Sequence, residues 1–96
     1  MLTYEVKIVI EATSEKEWLH WMKTVHVPDV IATGLPLSYQ ILKVKDQAYT
    51  YVFHYHFASQ EAFDHYHQEH SAALQADTSE KFGGKFKAER QLYDWV

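Results

Sequence analysis

The chain has 96 residues, 47% of them hydrophobic and 16% aromatic, enough for one packed core, and no Pro-, Gly- or Ser-rich stretch divides it, so a single domain spanning residues 1–96 is expected. Its formal charge is −4 with the seven histidines neutral, and its nine basic residues are scattered, which disfavours nucleic acid and anionic membranes as partners. The absence of cysteine excludes disulfides, thiolate metal sites and cysteine nucleophiles, while the lack of a long apolar run or a signal-peptide pattern makes the cytoplasm the expected compartment.

Residues 4–11 alternate, with Tyr4, Val6, Ile8 and Ile10 on one face and Glu5, Lys7, Val9 and Glu11 on the other, the pattern of a half-buried strand. Ser14 followed by Glu17 has the spacing of a capping box and predicts the start of a helix. Pro28 lacks the amide hydrogen a continuing helix uses and disfavours helical angles at Val27. The helix is therefore expected to end or kink near His26, with residues 28–32 as one further turn closed by Thr33 and Gly34. Residues 37–45 and 49–58 read as two strands joined by the tight turn Lys45-Asp46-Gln47-Ala48, a hairpin. Ser59 is the predicted N-cap of a helix that reaches Phe82, Gly83 and Gly84 stop it, and residues 85–95 resume as a strand.

This order predicts an α+β domain of ferredoxin-like βαββαβ topology, a four-stranded antiparallel sheet with both helices on one side. The other sheet face is then bare. Val9, Val52, Tyr93 and Trp95 are expected on it if the aliphatic row of the first strand meets the helices, and such a set is too apolar for a wetted surface. A homodimer closed through the sheets into a two-subunit barrel is the expected assembly.

At 100° per residue the first helix gathers Trp18, Leu19, Trp21, Met22, Val25 and His26 into one apolar arc. The second gathers Phe63, Tyr66, His67, His70, Ala73 and Leu74, with Asp77 at the edge. His26, His67 and His70 therefore point at the sheet, where a neutral imidazole can act as base, acid or ligand, or as a core residue hydrogen-bonded to a hydroxyl, carbonyl or water. His67 and His70, one turn apart, also have the spacing of a metal-ligand pair, but no carboxylate completes a known motif. Neither a metal nor a cofactor is expected.

On the last strand Arg90 is the single charge in the row Phe86, Ala88, Arg90, Leu92. A guanidinium there wants an anion, either an internal carboxylate such as Asp77 or an acidic ligand. The aromatic row Tyr49, Tyr51, Phe53, Tyr55 and Phe57 is core by its period, or else lines a pocket for a flat molecule roofed by Trp18 and Trp21. No phosphate loop, nucleophile elbow or dinucleotide fingerprint is present.

Three segments together carry a likeness: Trp18-Leu-His-Trp-Met-Lys-Thr-Val-His-Val-Pro-Asp-Val, Glu69-His-Ser-Ala-Ala-Leu, and Phe82-Gly-Gly-Lys-Phe-Lys-Ala-Glu-Arg. They resemble a bacterial family of short proteins known only as a domain of unknown function, within the dimeric α/β-barrel superfamily. The resemblance implies a ferredoxin-like subunit and a paired-sheet dimer, and no activity. Its segments carry His26, His70 and Arg90, which therefore rank highest as site residues, whereas His54, His56, His65 and His67 lie outside them. The superfamily includes cofactor-independent monooxygenases, haem-degrading enzymes, isomerases and ligand binders. Its haem-degrading members use an Asn, Trp and His set, and this chain has no Asn.

Three readings follow. The first is a homodimeric binding module holding a small aromatic or acidic metabolite in the helix–sheet cleft, with Arg90 as anion anchor and His67, Trp18, Met22 and Tyr66 around the ligand. The second is a cofactor-free monooxygenase or isomerase in which His26 or His70 removes a proton and Arg90 holds the resulting oxyanion. The third is a dimer serving only as structure or partner surface.

Overall fold

The structure, a computed structural model, describes residues 1–96. Four strands, β1 (Leu2–Ile10), β2 (Pro36–Lys43), β3 (Thr50–Phe57) and β4 (Phe86–Asp94), form one antiparallel sheet in the order β2-β3-β1-β4. Two helical rods complete the ferredoxin-like βαββαβ fold. The first, α1, enters through a 3-10 turn at Ala12–Ser14 and runs α-helical over Glu15–Trp21, π-helical over Met22–His26 and α-helical over Val27–Ala32. The second, α2, is α-helical over Gln60–Tyr66, π-helical over His67–Ser71 and α-helical over Ala72–Phe82.

Strand alternation sorts the core. Tyr4, Ile8 and Ile10 of β1 and Tyr51, Phe53, Tyr55 and Phe57 of β3 are buried under the helices, while Val52, His54 and His56 turn to the opposite face. Trp18 is fully enclosed against Tyr51 and Phe53, at ring-centroid distances of 5.2 and 5.8 Å. A buried side chain of this size contributes on the order of 3 kcal/mol through apolar burial.

Both helices depart from a uniform 3.6-residue period at their π-turns, and the buried residues record it. In α1 the series is Trp18, Met22, Val27, Val30; in α2 it is Phe63, Tyr66, Ser71, Thr78, Phe82. Each contains one step of five, from Met22 to Val27 and from Tyr66 to Ser71, where a regular helix steps by three or four. Pro28 does not end α1. The wider turn lets the Val27 amide donate to the Met22 carbonyl, and Val27 stays helical at φ −61°, ψ −45°. The buried stripes therefore depart from a uniform 100° spacing: Val25 is 40% exposed, and His67, Ala73 and Asp77 face solvent instead of the sheet.

The caps divide. Ser59 Oγ accepts from the Ala62 amide at 3.1 Å, as its spacing predicts. Ser14 makes no capping hydrogen bond, because the 3-10 turn before it already carries the chain into α1. At the end of α2 a Cβ on Gly83 would lie 2.4 Å from the Ser79 carbonyl oxygen, so only glycine fits.

The sheet face away from the helices mixes apolar and polar groups. Val9, Tyr93 and Trp95 are exposed there. Trp95 Nε1 donates to Thr3 Oγ1 at 2.7 Å, Thr3 Oγ1 lies 2.8 Å from His56 Nδ1, and His56 Nε2 bonds Gln40 Oε1. Beside this chain, Glu5 accepts from Tyr93 at 3.2 Å and pairs with His54 at 2.8 Å.

Candidate functional site

Between the sheet and the two π-turns lies a cavity of about 230 Å³. Its floor is Tyr4, Val6 and Ile8 of β1, Phe53 and Tyr55 of β3, and Phe86, Ala88 and Arg90 of β4. Met22 and His26 of α1 close one side, and Tyr66, Ser71, Leu74, Gln75, Thr78 and Ser79 of α2 the other. Small side chains at Ala88, Ser71 and Ser79 leave the space, and the π-turn of α2 is what points Ser71, Gln75 and Thr78 into it. A volume of this size takes roughly ten non-hydrogen atoms at protein packing density.

Polar groups converge on this apolar space. His26 stacks on Trp21, with centroids 5.8 Å apart and planes 27° from parallel, and its Nδ1 lies 3.2 Å from Thr78 Oγ1. Burial pushes its pKa below the ordinary 6.5, Asp29 and Asp77 pull it up, and Arg90 adds to the lowering, so it is neutral at neutral pH. The Tyr55 hydroxyl, on a residue only 3% exposed, is buried with no hydrogen-bond partner. Burial raises the pKa of Tyr55, Tyr66 and Tyr4, and the Arg90 guanidinium works against this at Tyr66 and Tyr4. All three stay protonated as hydrogen-bond donors.

Arg90 is exposed, and no carboxylate lies within ion-pair distance of it. The expected internal partner Asp77 is turned to solvent by the π-turn. Arg90 and Tyr4 also border a second, more open depression with Phe63, His67, Gln91 and Leu92. His67 stacks on Phe63 there, with centroids 5.8 Å apart.

The expected site residues are thus distributed unequally. His26, Met22, Tyr66 and Arg90 share the main cavity, and His67 borders only the outer depression. His70 leans on Tyr66 at 6.4 Å but lines neither space, and Trp18 is enclosed in the core instead of roofing a pocket. No three His, Asp or Glu side chains converge in a metal-binding arrangement. Sequence reasoning missed Thr78, Ser71 and the role of Tyr55; in α2 the shifted phase falls on the polar Ser71 and Thr78, so no apolar spacing signalled it.

Over residues 1–95 the sequence matches the family described as Domain of unknown function (DUF4286). The chain belongs to this family. Among curated proteins, none matches the DUF4286 chain in sequence. Solved structures that resemble it include a variant of SnoaB, a cofactor-independent oxygenase from Streptomyces nogalater, at TM-score 0.76 and 12% identity, covering 98% of this chain and 91% of that one. HapK from Hahella chejuensis resembles it at TM-score 0.74 and 15% identity, covering 100% and 93%. An antibiotic biosynthesis monooxygenase resembles it at TM-score 0.73 and 19% identity, covering 100% and 99%. At these identities the likeness is one of fold. No helix of the DUF4286 chain is long and apolar enough to cross a membrane.

Proposed function

We propose that this protein binds a small acidic or aromatic metabolite in the cavity between its helices and sheet. The reading is carried by one observation: Arg90, which has no carboxylate of its own, borders the same small cavity as Tyr55, a residue whose buried hydroxyl has no partner. An unpaired buried hydroxyl costs about 1–3 kcal/mol, and a ligand oxygen between it and the guanidinium removes that cost while neutralising the cation. Single-ring carboxylates and phenols match the volume. Titration calorimetry with salicylate tests the reading, with binding expected in the wild type and a loss of at least tenfold in Arg90→Gln; no saturable binding of this or related one-ring acids would overturn it.

A second reading is favoured by His26, which lines the same cavity as Arg90. As a neutral imidazole, His26 accepts a proton from an activated carbon or phenol, and Arg90 holds the resulting oxyanion. This is chemistry of the kind a cofactor-independent oxygenase or an isomerase needs. The SnoaB and monooxygenase likenesses lend it the support of a shared fold and no more. The subunit pairs with a second copy through the exposed Val9, Tyr93 and Trp95 face, which an isolated monomer leaves wet.

A further inference from the structure

The surroundings of His26 treat its two ring nitrogens differently. Nδ1 lies 3.2 Å from Thr78 Oγ1, and that same oxygen lies 3.3 Å from the Leu74 carbonyl oxygen one turn earlier in α2. A threonine hydroxyl carries one hydrogen and two lone pairs. Directed at the Leu74 carbonyl, the hydrogen leaves a lone pair facing Nδ1, and both contacts are attractive if Nδ1 carries the imidazole hydrogen. Directed at Nδ1, it leaves the Thr78 and Leu74 oxygens facing each other with lone pairs alone. The first arrangement satisfies all three groups. Nε2 has no partner in the protein and is not among the buried unpartnered atoms, so it is the ring nitrogen left free on a residue that lines the cavity.

We infer that Thr78 is a positioning residue that holds His26 as its Nδ1–H tautomer, leaving the Nε2 lone pair as the proton acceptor presented to the cavity. The use of this device rests on the proton-acceptor reading above; the tautomer itself does not. A ligand whose labile C–H or O–H reaches Nε2 gives its proton to that nitrogen and keeps the electron pair as an enolate or phenolate beside Arg90. His26 becomes an imidazolium without reorientation, because the Nδ1–H bond to Thr78 is already in place.

The choice of a hydroxyl has a charge consequence. Asp77, the neighbour that a regular helix would have turned toward this position, would fix the same tautomer but hold the imidazolium firmly. Thr78 fixes it with a neutral group. The charged groups acting on His26 are then Asp29 and Asp77 from solvent-facing positions and Arg90 across the cavity.

Long-range nitrogen–proton correlation spectra of the His26 ring, recorded well above its titration, test the inference in the wild type, Thr78→Ser and Thr78→Ala. The wild type and Thr78→Ser are expected to show a protonated, pyrrole-type Nδ1 and an unprotonated, pyridine-type Nε2. Thr78→Ala is expected to shift toward the Nε2–H form that free histidine prefers. A wild-type ring protonated on Nε2, or ring shifts unchanged in Thr78→Ala, overturns the inference; if Thr78→Ala does not fold, the wild-type and Thr78→Ser spectra decide. Salicylate added to the same samples separates the two questions. The stated tautomer with no ring perturbation overturns the ligand reading alone.

Discussion

Tyr4 and Arg90 stand diagonally across the β1–β4 ladder, Tyr4 opposite Leu92 and Arg90 opposite Val6, and the guanidinium counters the rise in phenol pKa that burial causes. Both residues border the main cavity and the outer depression, so the two spaces adjoin at this pair. An anion in either space therefore lies beside the same guanidinium.

Because Arg90 is exposed and has no carboxylate partner, Arg90→Gln should leave stability within about 0.5 kcal/mol of the wild type. Electrostatics at the cavity should change instead. Arg90 lowers the pKa of both His26 and Tyr4, so its removal should move both upward. Histidine ring shifts followed through a pH titration read the first, and tyrosine absorbance the second. An unmoved His26 titration would place the guanidinium away from the cavity in solution.

Tyr55→Phe should act in opposite directions on stability and binding. Removing an unpartnered buried hydroxyl relieves a desolvation cost, so urea unfolding should show no loss and up to about 1 kcal/mol of gain. Salicylate affinity should fall by about tenfold, or ~1.4 kcal/mol. A clear loss of stability would mean that the hydroxyl has a partner in the free protein.

His26 also imposes a pH dependence on stability. Its folded-state pKa lies below the unfolded value of about 6.5, so between those two values the unfolded chain binds more protons. Stability from this group is therefore fully present above the unfolded pKa and is lost as pH falls toward the folded one. Thermal melts of wild type and His26→Gln between pH 7.5 and 4.5, on the order of the range imidazoles titrate over, should converge as the pH falls. Parallel curves would show that burial exacts no charge penalty at this position.

Val9 stands opposite Lys87 on β4 and Thr50 on β3, exposed on the face away from the helices. Val9→Glu faces the lysine within its own subunit, so the fold should tolerate it, while a second sheet packed on that face should not. Sedimentation is expected to show a dimer for the wild type and a monomer for Val9→Glu, with unchanged far-ultraviolet circular dichroism. A wild-type monomer throughout the micromolar range would refute pairing through the sheets.

Strands, hairpin and element order were legible because period-two alternation in β1 and the aromatic run of β3 are strong local signals. Glycines at 83 and 84 marked the end of α2 for an equally local reason. The cavity wall was less legible. Projecting α2 at a constant 100° carries His70 and Asp77 inward, whereas the π-turn exchanges them for Ser71 and Thr78. Alternation marks Arg90 as the lone charge of its row, but its exposure depends on how far α2 stands from β4, which no single strand pattern encodes. The partnerless state of the Tyr55 hydroxyl is likewise a property of three dimensions.

The π-turn of α2 amounts to one residue more than an unbroken helix of the same span requires. Removing a single solvent-facing residue there, such as Gln68, would tighten the turn into ordinary helix while Gln75, Thr78 and Phe82 keep their stations. Forcing the same stretch into regular helix without a deletion would instead advance every later side chain by 100° and seat Asp77 against His26. The wall chemistry of this cavity is therefore set by a phase as well as by a sequence, and a one-residue change in length can rewrite it where no substitution has occurred.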